Sequence, residues 1–152
     1  MREAVDVEYG EFSIVDPGGS EDPAATPIAD SWDLGGPTGP WLVGADNILM
    51  VRSEFNVHSP TVTFELWDEA PPPQVHPASE TAQVTFASST GRILLEEMTG
   101  SDEEHEEFDL GSPDAKWHAR GYRVRLVPAD HFPDDLDEEV ESFCFQFWPA
   151  EK

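Results

Sequence analysis

Cations are scarce in this chain. Eight lysines and arginines stand against 32 aspartates and glutamates in 152 residues, a formal charge of −24. A chain so poor in positive charge cannot neutralise a row of phosphates, which argues against direct nucleic-acid binding. It is also repelled by an anionic membrane surface. Cysteine is nearly absent: Cys144 stands alone, so no internal disulfide forms and a reducing compartment is the simpler expectation. No apolar run approaches the roughly 20 residues that a membrane helix needs. The opening stretch Met-Arg-Glu-Ala-Val-Asp-Val has neither a basic n-region nor an apolar h-region, so no secretory signal is visible. These absences describe one acidic domain over residues 1–152, expected in the cytoplasm.

What is present is enough for a core. Hydrophobic residues make up 38% of the chain, with five tryptophans and nine phenylalanines among them, so wholesale disorder is excluded despite the charge. Their spacing is that of strands. Val5, Val7 and Tyr9 alternate with Asp6 and Glu8, and after Gly10 the period of two resumes with Phe12 and Ile14. Residues 47–52 read as a short buried strand. Residues 61–67 alternate Val62, Phe64 and Leu66 against Thr61, Thr63, Glu65 and Trp67, until Pro71, Pro72 and Pro73 stop them. Segments 83–88 and 92–97 flank Ser89-Thr90-Gly91, a hairpin signal. Residues 116–118 read as a short edge strand and 122–127 as a separate one. In 142–148, Phe143, Phe145 and Phe147 share one face while Cys144, Gln146 and Trp148 share the other. Glycine, proline, serine and aspartate dominate residues 16–40, which read as one long loop. The expected fold is all-β: an antiparallel two-sheet sandwich of about seven to nine strands.

Chemistry is harder to find. The five histidines, His58, His76, His105, His118 and His131, keep no zinc-ligand spacing. The acidic stretch 130–139 lacks the glycine of an EF-hand loop, and Pro133 breaks its spacing. No serine lies in a Gly-x-Ser-x-Gly elbow, and Cys144, alternating with aromatics, reads as a packed, inert thiol. Neither a cofactor nor a metal is expected, and neither is an enzyme.

The charge remains. Solubility is served by a net charge magnitude of about 2–8 in a small domain, and self-repulsion at −24 costs stability that a high-salt environment or a cationic partner offsets. One reading is the solvated surface of an acidic proteome; the other is functional. Carboxylates imitating phosphates would steer the chain onto the basic groove of a nuclease or other DNA-binding protein. Two clusters are the candidates: Asp102, Glu103, Glu104, Glu106 and Glu107, then Asp134, Asp135, Asp137, Glu138 and Glu139. Trp32 and Trp117, placed in or near loops, are the candidate aromatic anchors. The alternative from another class is a sandwich that stacks a sugar or other ligand on the loop tryptophans Trp32, Trp41 and Trp117.

Several segments also resemble known proteins. Residues 60–73 (Pro-Thr-Val-Thr-Phe-Glu-Leu-Trp-Asp-Glu-Ala-Pro-Pro-Pro), Gly121-Tyr122-Arg123-Val124-Arg125 and Phe145-Gln146-Phe147-Trp148-Pro149-Ala150 look like segments of small acidic actinobacterial proteins, mostly of unassigned function. The opening Val7-Glu8-Tyr9-Gly10-Glu11-Phe12 is similar too. That group in turn resembles, more distantly, the competence protein J type of nuclease inhibitor. The resemblance implies a small β-rich protein that binds and restrains a nuclease, and it carries no binding residue over by position.

Overall fold

The computed structural model describes residues 2–5, 7, 10–20, 40–53, 59–72, 79–97, 106–127 and 140–150. Among them ten strands form two five-stranded sheets. The strands are β1 (Arg2–Ala4), β2 (Glu11–Val15), β3 (Leu42–Ala45), β4 (Ile48–Arg52), β5 (Thr61–Leu66), β6 (Ser79–Ser88), β7 (Arg92–Glu97), β8 (Phe108–Asp109), β9 (Ala115–Arg125) and β10 (Glu141–Pro149). One sheet runs β1-β5-β10-β9-β6 and the other β3-β4-β2-β7-β8. The all-β sandwich expected from the alternating sequence is the observed architecture, with three short strands that the pattern did not mark: β1, β3 and β8.

Period-two alternation builds the core between the sheets. From the first sheet come Val62 and Phe64 of β5, Phe143, Phe145 and Phe147 of β10, Trp117 and Ala119 of β9 and Phe86 of β6; from the second come Phe12, Ile14, Leu49, Val51, Ile93 and Leu95. Most of the phenylalanine pairs meet edge to face, an arrangement their quadrupoles favour. Phe147 lies 5.4 Å from Phe64 at 87° and 5.9 Å from Phe86 at 71°. Phe12 spans to the opposite sheet, 5.1 Å from Phe143.

Three expectations need correction. Among the described strands every pair but one is antiparallel; β5 and β10 run parallel, with Thr61 beside Ser142 and Leu66 beside Phe147. The separate strands expected at 116–118 and 122–127 are one eleven-residue strand, β9, lying between β10 and β6 rather than at an edge. Gly121, which reads as a break, sits mid-strand because a Cβ there would come within 2.8 Å of Trp41 and 2.9 Å of Phe145. Glycine is what lets the two aromatics close over the strand.

The third correction concerns Ser89-Thr90-Gly91. β6 pairs with β9 and β7 pairs with β2, so these residues do not join a hairpin but carry the chain from one sheet to the other. Gly91 takes φ +76°, the left-handed region that glycine tolerates. A buried carboxylate holds this corner together. Asp16 accepts hydrogen bonds from Ser88 Oγ (2.6 Å), the Thr90 amide (2.8 Å), Thr90 Oγ1 (2.7 Å) and the Gly18 amide (2.9 Å). Asn47, at φ +65°, braces the same corner: its amide donates to Ala87 O and its side-chain oxygen accepts from the Ser89 amide. The 3₁₀ turn Pro17–Ser20 follows directly from Asp16.

Candidate binding surface

The outward face of the first sheet is set by register. Glu65, Gln146 and Arg120 lie side by side across β5, β10 and β9, and Thr63, Cys144 and Tyr122 form the row beside them. Trp148 pairs with His118 in the next row, their rings 5.3 Å apart. The Arg120 guanidinium lies 5.0 Å over the Trp148 ring and donates through Nη1 to Pro71 O at 2.8 Å, so the chain after β5 folds back across this face. Gln146 Nε2 and Trp67 Nε1 both donate to Glu65 Oε1, at 3.1 and 3.0 Å. Gln146 is fully buried, yet among the described residues its Oε1 has no hydrogen-bond partner, nor has the buried Nδ1 of His118.

Cys144 lies in this face. Burial, with a lesser push from the Glu65 charge, raises its thiol to about 11. The thiolate is the reactive form, so alkylation by iodoacetamide at pH 8 is expected to run about two hundredfold slower than at an exposed thiol of ordinary pKa. Unfolding in urea restores the ordinary rate; a fast reaction of the folded chain would show the thiol to be accessible and ionised. Among the described residues, no group of three or more His, Cys, Asp or Glu gathers where it could hold a metal ion.

Of the residues singled out in the sequence, Asp102, Glu103, Glu104, Asp134, Asp135, Asp137, Glu138, Glu139 and Trp32 lie outside the described residues. Glu106 and Glu107 are exposed just before β8; the Glu106 amide donates to the Glu3 carboxylate, and Glu107 meets Arg92 at 3.7 Å. Trp117 is not a surface anchor. It is 4% exposed, because the odd-numbered residues of β9 from 117 to 121 face the core and small Ala119 beside it leaves room for the indole. Trp41 is half-buried, its ring under the Arg123 guanidinium at 5.1 Å. Trp117 thus presents no face for a sugar, whereas Trp41 lines a shallow surface pocket with Glu11, Pro40, Val43, Met50 and Arg52. The large apolar side chains that are exposed among the described residues are Leu66 (47% exposed), Trp67 (37%) and Leu126 (48%). Sequence reasoning missed the first two, although the signal was there: alternation ends at Trp67 in Asp-Glu and a proline run.

A solved structure shares this backbone arrangement. ComJ from Bacillus subtilis, described as an inhibitor of the DNA degrading activity of NucA, superposes with a TM-score of 0.61 over 99% of this chain and 96% of its own, at 13% identity. This chain has the ComJ fold. The protein described as Crocagin biosynthetic gene J also shares it, with a TM-score of 0.56, 12% identity and the same coverage of both chains. No protein-family model and no curated protein matches the sequence. At such low identity the likeness to ComJ concerns the backbone; it does not transfer a contact residue.

Proposed function

We propose that this chain is a non-enzymatic inhibitor, or toxin-immunity-like protein, that restrains a nuclease by occupying its basic nucleic-acid groove in the cytoplasm. The observation that carries the reading is the whole-length likeness to an inhibitor of DNA degradation, joined to a net charge of −24. The two acidic clusters, 102–107 and 134–139, supply the field. Such a field acts chiefly on encounter: complementary charge raises association rates toward about 10⁸–10⁹ M⁻¹s⁻¹ at low salt, while short-range apolar contacts set how long the complex lasts.

The test uses the immobilised chain and native lysate at low and high salt, followed by a DNA-degradation assay on whatever is retained. A basic nuclease held at low salt, released at high salt and inhibited by added chain is the expected result. Reversing the charges of Asp102, Glu103, Glu104 and Glu106 is expected to slow its association about tenfold at low salt and to flatten the salt dependence. A retained nuclease whose activity the chain leaves untouched, or no basic protein retained at either salt, would overturn the reading.

A further inference from the structure

Leu66 and Trp67 are adjacent, exposed and rimmed by acid. Asp68 and Glu69 follow them, both exposed, and Glu65 precedes them. An apolar centre within a charged rim is the anatomy of a protein-binding hot spot, in which tryptophan is over-represented. The ring is held from behind. The Trp67 amide donates to Phe147 O at 2.8 Å, its indole N–H donates to Glu65 Oε1, and Gln146 fixes the same oxygen from the other side. A side chain fixed in this way loses little freedom on binding.

Acceptors are left over. Both donors converge on Glu65 Oε1, and Oε2 has no hydrogen bond among the described residues. Gln146, fully buried on the same face, has its Oε1 unpartnered. Arg120, in the same row as Glu65 and Gln146, is already engaged by Trp148 and Pro71 O. On the solvent side the patch therefore offers one open carboxylate oxygen, that of Glu65, beside an exposed aromatic ring. A guanidinium suits both: it is planar, permanently charged, stacks on indole and hydrogen-bonds a carboxylate, which an ammonium does less well.

We infer that Leu66 and Trp67, with Glu65, form the anchor of the interface, where a basic protein segment docks with an arginine side chain on the Trp67 ring and its guanidinium at the Glu65 carboxylate. The inference rests on the inhibitor reading for the kind of partner and adds the place of contact. It assigns the two acidic clusters to steering and this patch to holding.

The probe is an end-blocked hexapeptide of alternating glycine and arginine, titrated at low salt into the ¹⁵N-labelled chain, with glycine–lysine and glycine–glutamate peptides beside it. Trp67→Phe identifies the Trp67 indole resonance. The expected result is a saturable shift of that resonance with the arginine peptide, a several-fold weaker response to lysine and none to glutamate. Trp67→Ala and Glu65→Gln are each expected to weaken the arginine peptide about tenfold. Unchanged unfolding midpoints show that both variants remain folded, and Glu65→Gln, which keeps an acceptor for the indole, serves if the alanine variant does not. Arginine-peptide binding that neither variant weakens overturns the anchor while leaving charge-driven binding intact. A Trp67 shift on concentrating the chain alone overturns it in favour of a second copy as occupant. No peptide binding at low salt also overturns it, and the DNA-degradation assay then judges the inhibitor reading separately.

Discussion

Phe147→Ala is expected to remove about 3–5 kcal/mol of folding stability, the usual result of truncating a buried aromatic ring. Phe147 is fully buried, and its ring touches those of Phe64, Phe86 and Phe108 at 5.4, 5.9 and 6.0 Å. Those neighbours come from β5, the end of β6 and β8, so the ring ties the first sheet laterally and binds it to the second. Three rings fixed by their own strands cannot collapse into the space left, and the cavity adds to the lost transfer energy. Domains of this size hold about 5–15 kcal/mol in total, and each kcal/mol shifts the melting midpoint by roughly 2–4 °C. A fall of about 10 °C is therefore expected in a thermal scan. Trp67→Ala is the internal comparison: it removes an exposed ring and is expected to cost well under about 1 kcal/mol. Equal midpoints for the two variants would show that the phenylalanine cluster is not what joins the sheets.

The second large effect belongs to Asp16→Asn. The amide keeps the shape of the carboxylate but presents an N–H₂ where the protein presents donors. Of the four hydrogen bonds from Ser88, Thr90 and Gly18, those to one oxygen are lost, and buried donors are left facing a donor. Charge-assisted bonds of this kind contribute about 1.5–3 kcal/mol each, so a net loss of about 2–4 kcal/mol is expected at pH 7. Its pH dependence identifies the cause. Burial pushes the Asp16 carboxyl upward, but the bonds from Ser88, Thr90 and Gly18 outweigh it and hold the group below its ordinary value of 3.8. A depressed carboxyl stabilises the fold fully above the unfolded value and loses that contribution as pH falls through the folded one. The stability difference between the parent chain and Asp16→Asn should thus stay flat from neutral pH down to about 4 and shrink below it. Urea midpoints measured in parallel make the comparison, and the many other carboxylates cancel in the difference. A difference that shrinks already between pH 7 and 5 would exclude Asp16 as its source.

The strands that were legible in the sequence are those whose own residues carry the pattern. Val62 and Phe64, or Phe143, Phe145 and Phe147, announce a buried face at period two without reference to any other segment. The parallel pairing of β5 with β10 carries no local sign, because the partners lie about eighty positions apart and no turn joins them. The corner at Ser89–Gly91 has the chemistry of a hairpin turn. What diverts it is the carboxylate of Asp16, more than seventy residues earlier. Gly44 lies within β3 and Gly121 within β9, each where another part of the chain comes too close for a Cβ, so neither interrupts its strand. The surface followed the same division. Trp117 was assigned outward from its neighbourhood, although its alternation with Ala119 and Gly121 marks an inward face made of one large and two small residues. Trp67 was passed over because its exposure depends on where β5 ends relative to β10, a property of register rather than of composition.

The position of β10 also bears on how the chain is made. It is the tenth strand in order of synthesis and the third of five across its sheet, between β5 and β9. Until residues 141–149 have been synthesised and are free to insert, β5 has only the three residues of β1 beside it and β9 has only β6. The second sheet has no such debt, since β8 ends at Asp109. A growing chain can thus complete one half of the sandwich while the other exposes two unpaired strand edges and the apolar faces of Val62, Phe64 and Trp117. Translation is vectorial, and long-range strand pairing is slow. Until β10 emerges, the strand order leaves an open, aggregation-prone cleft between β5 and β9.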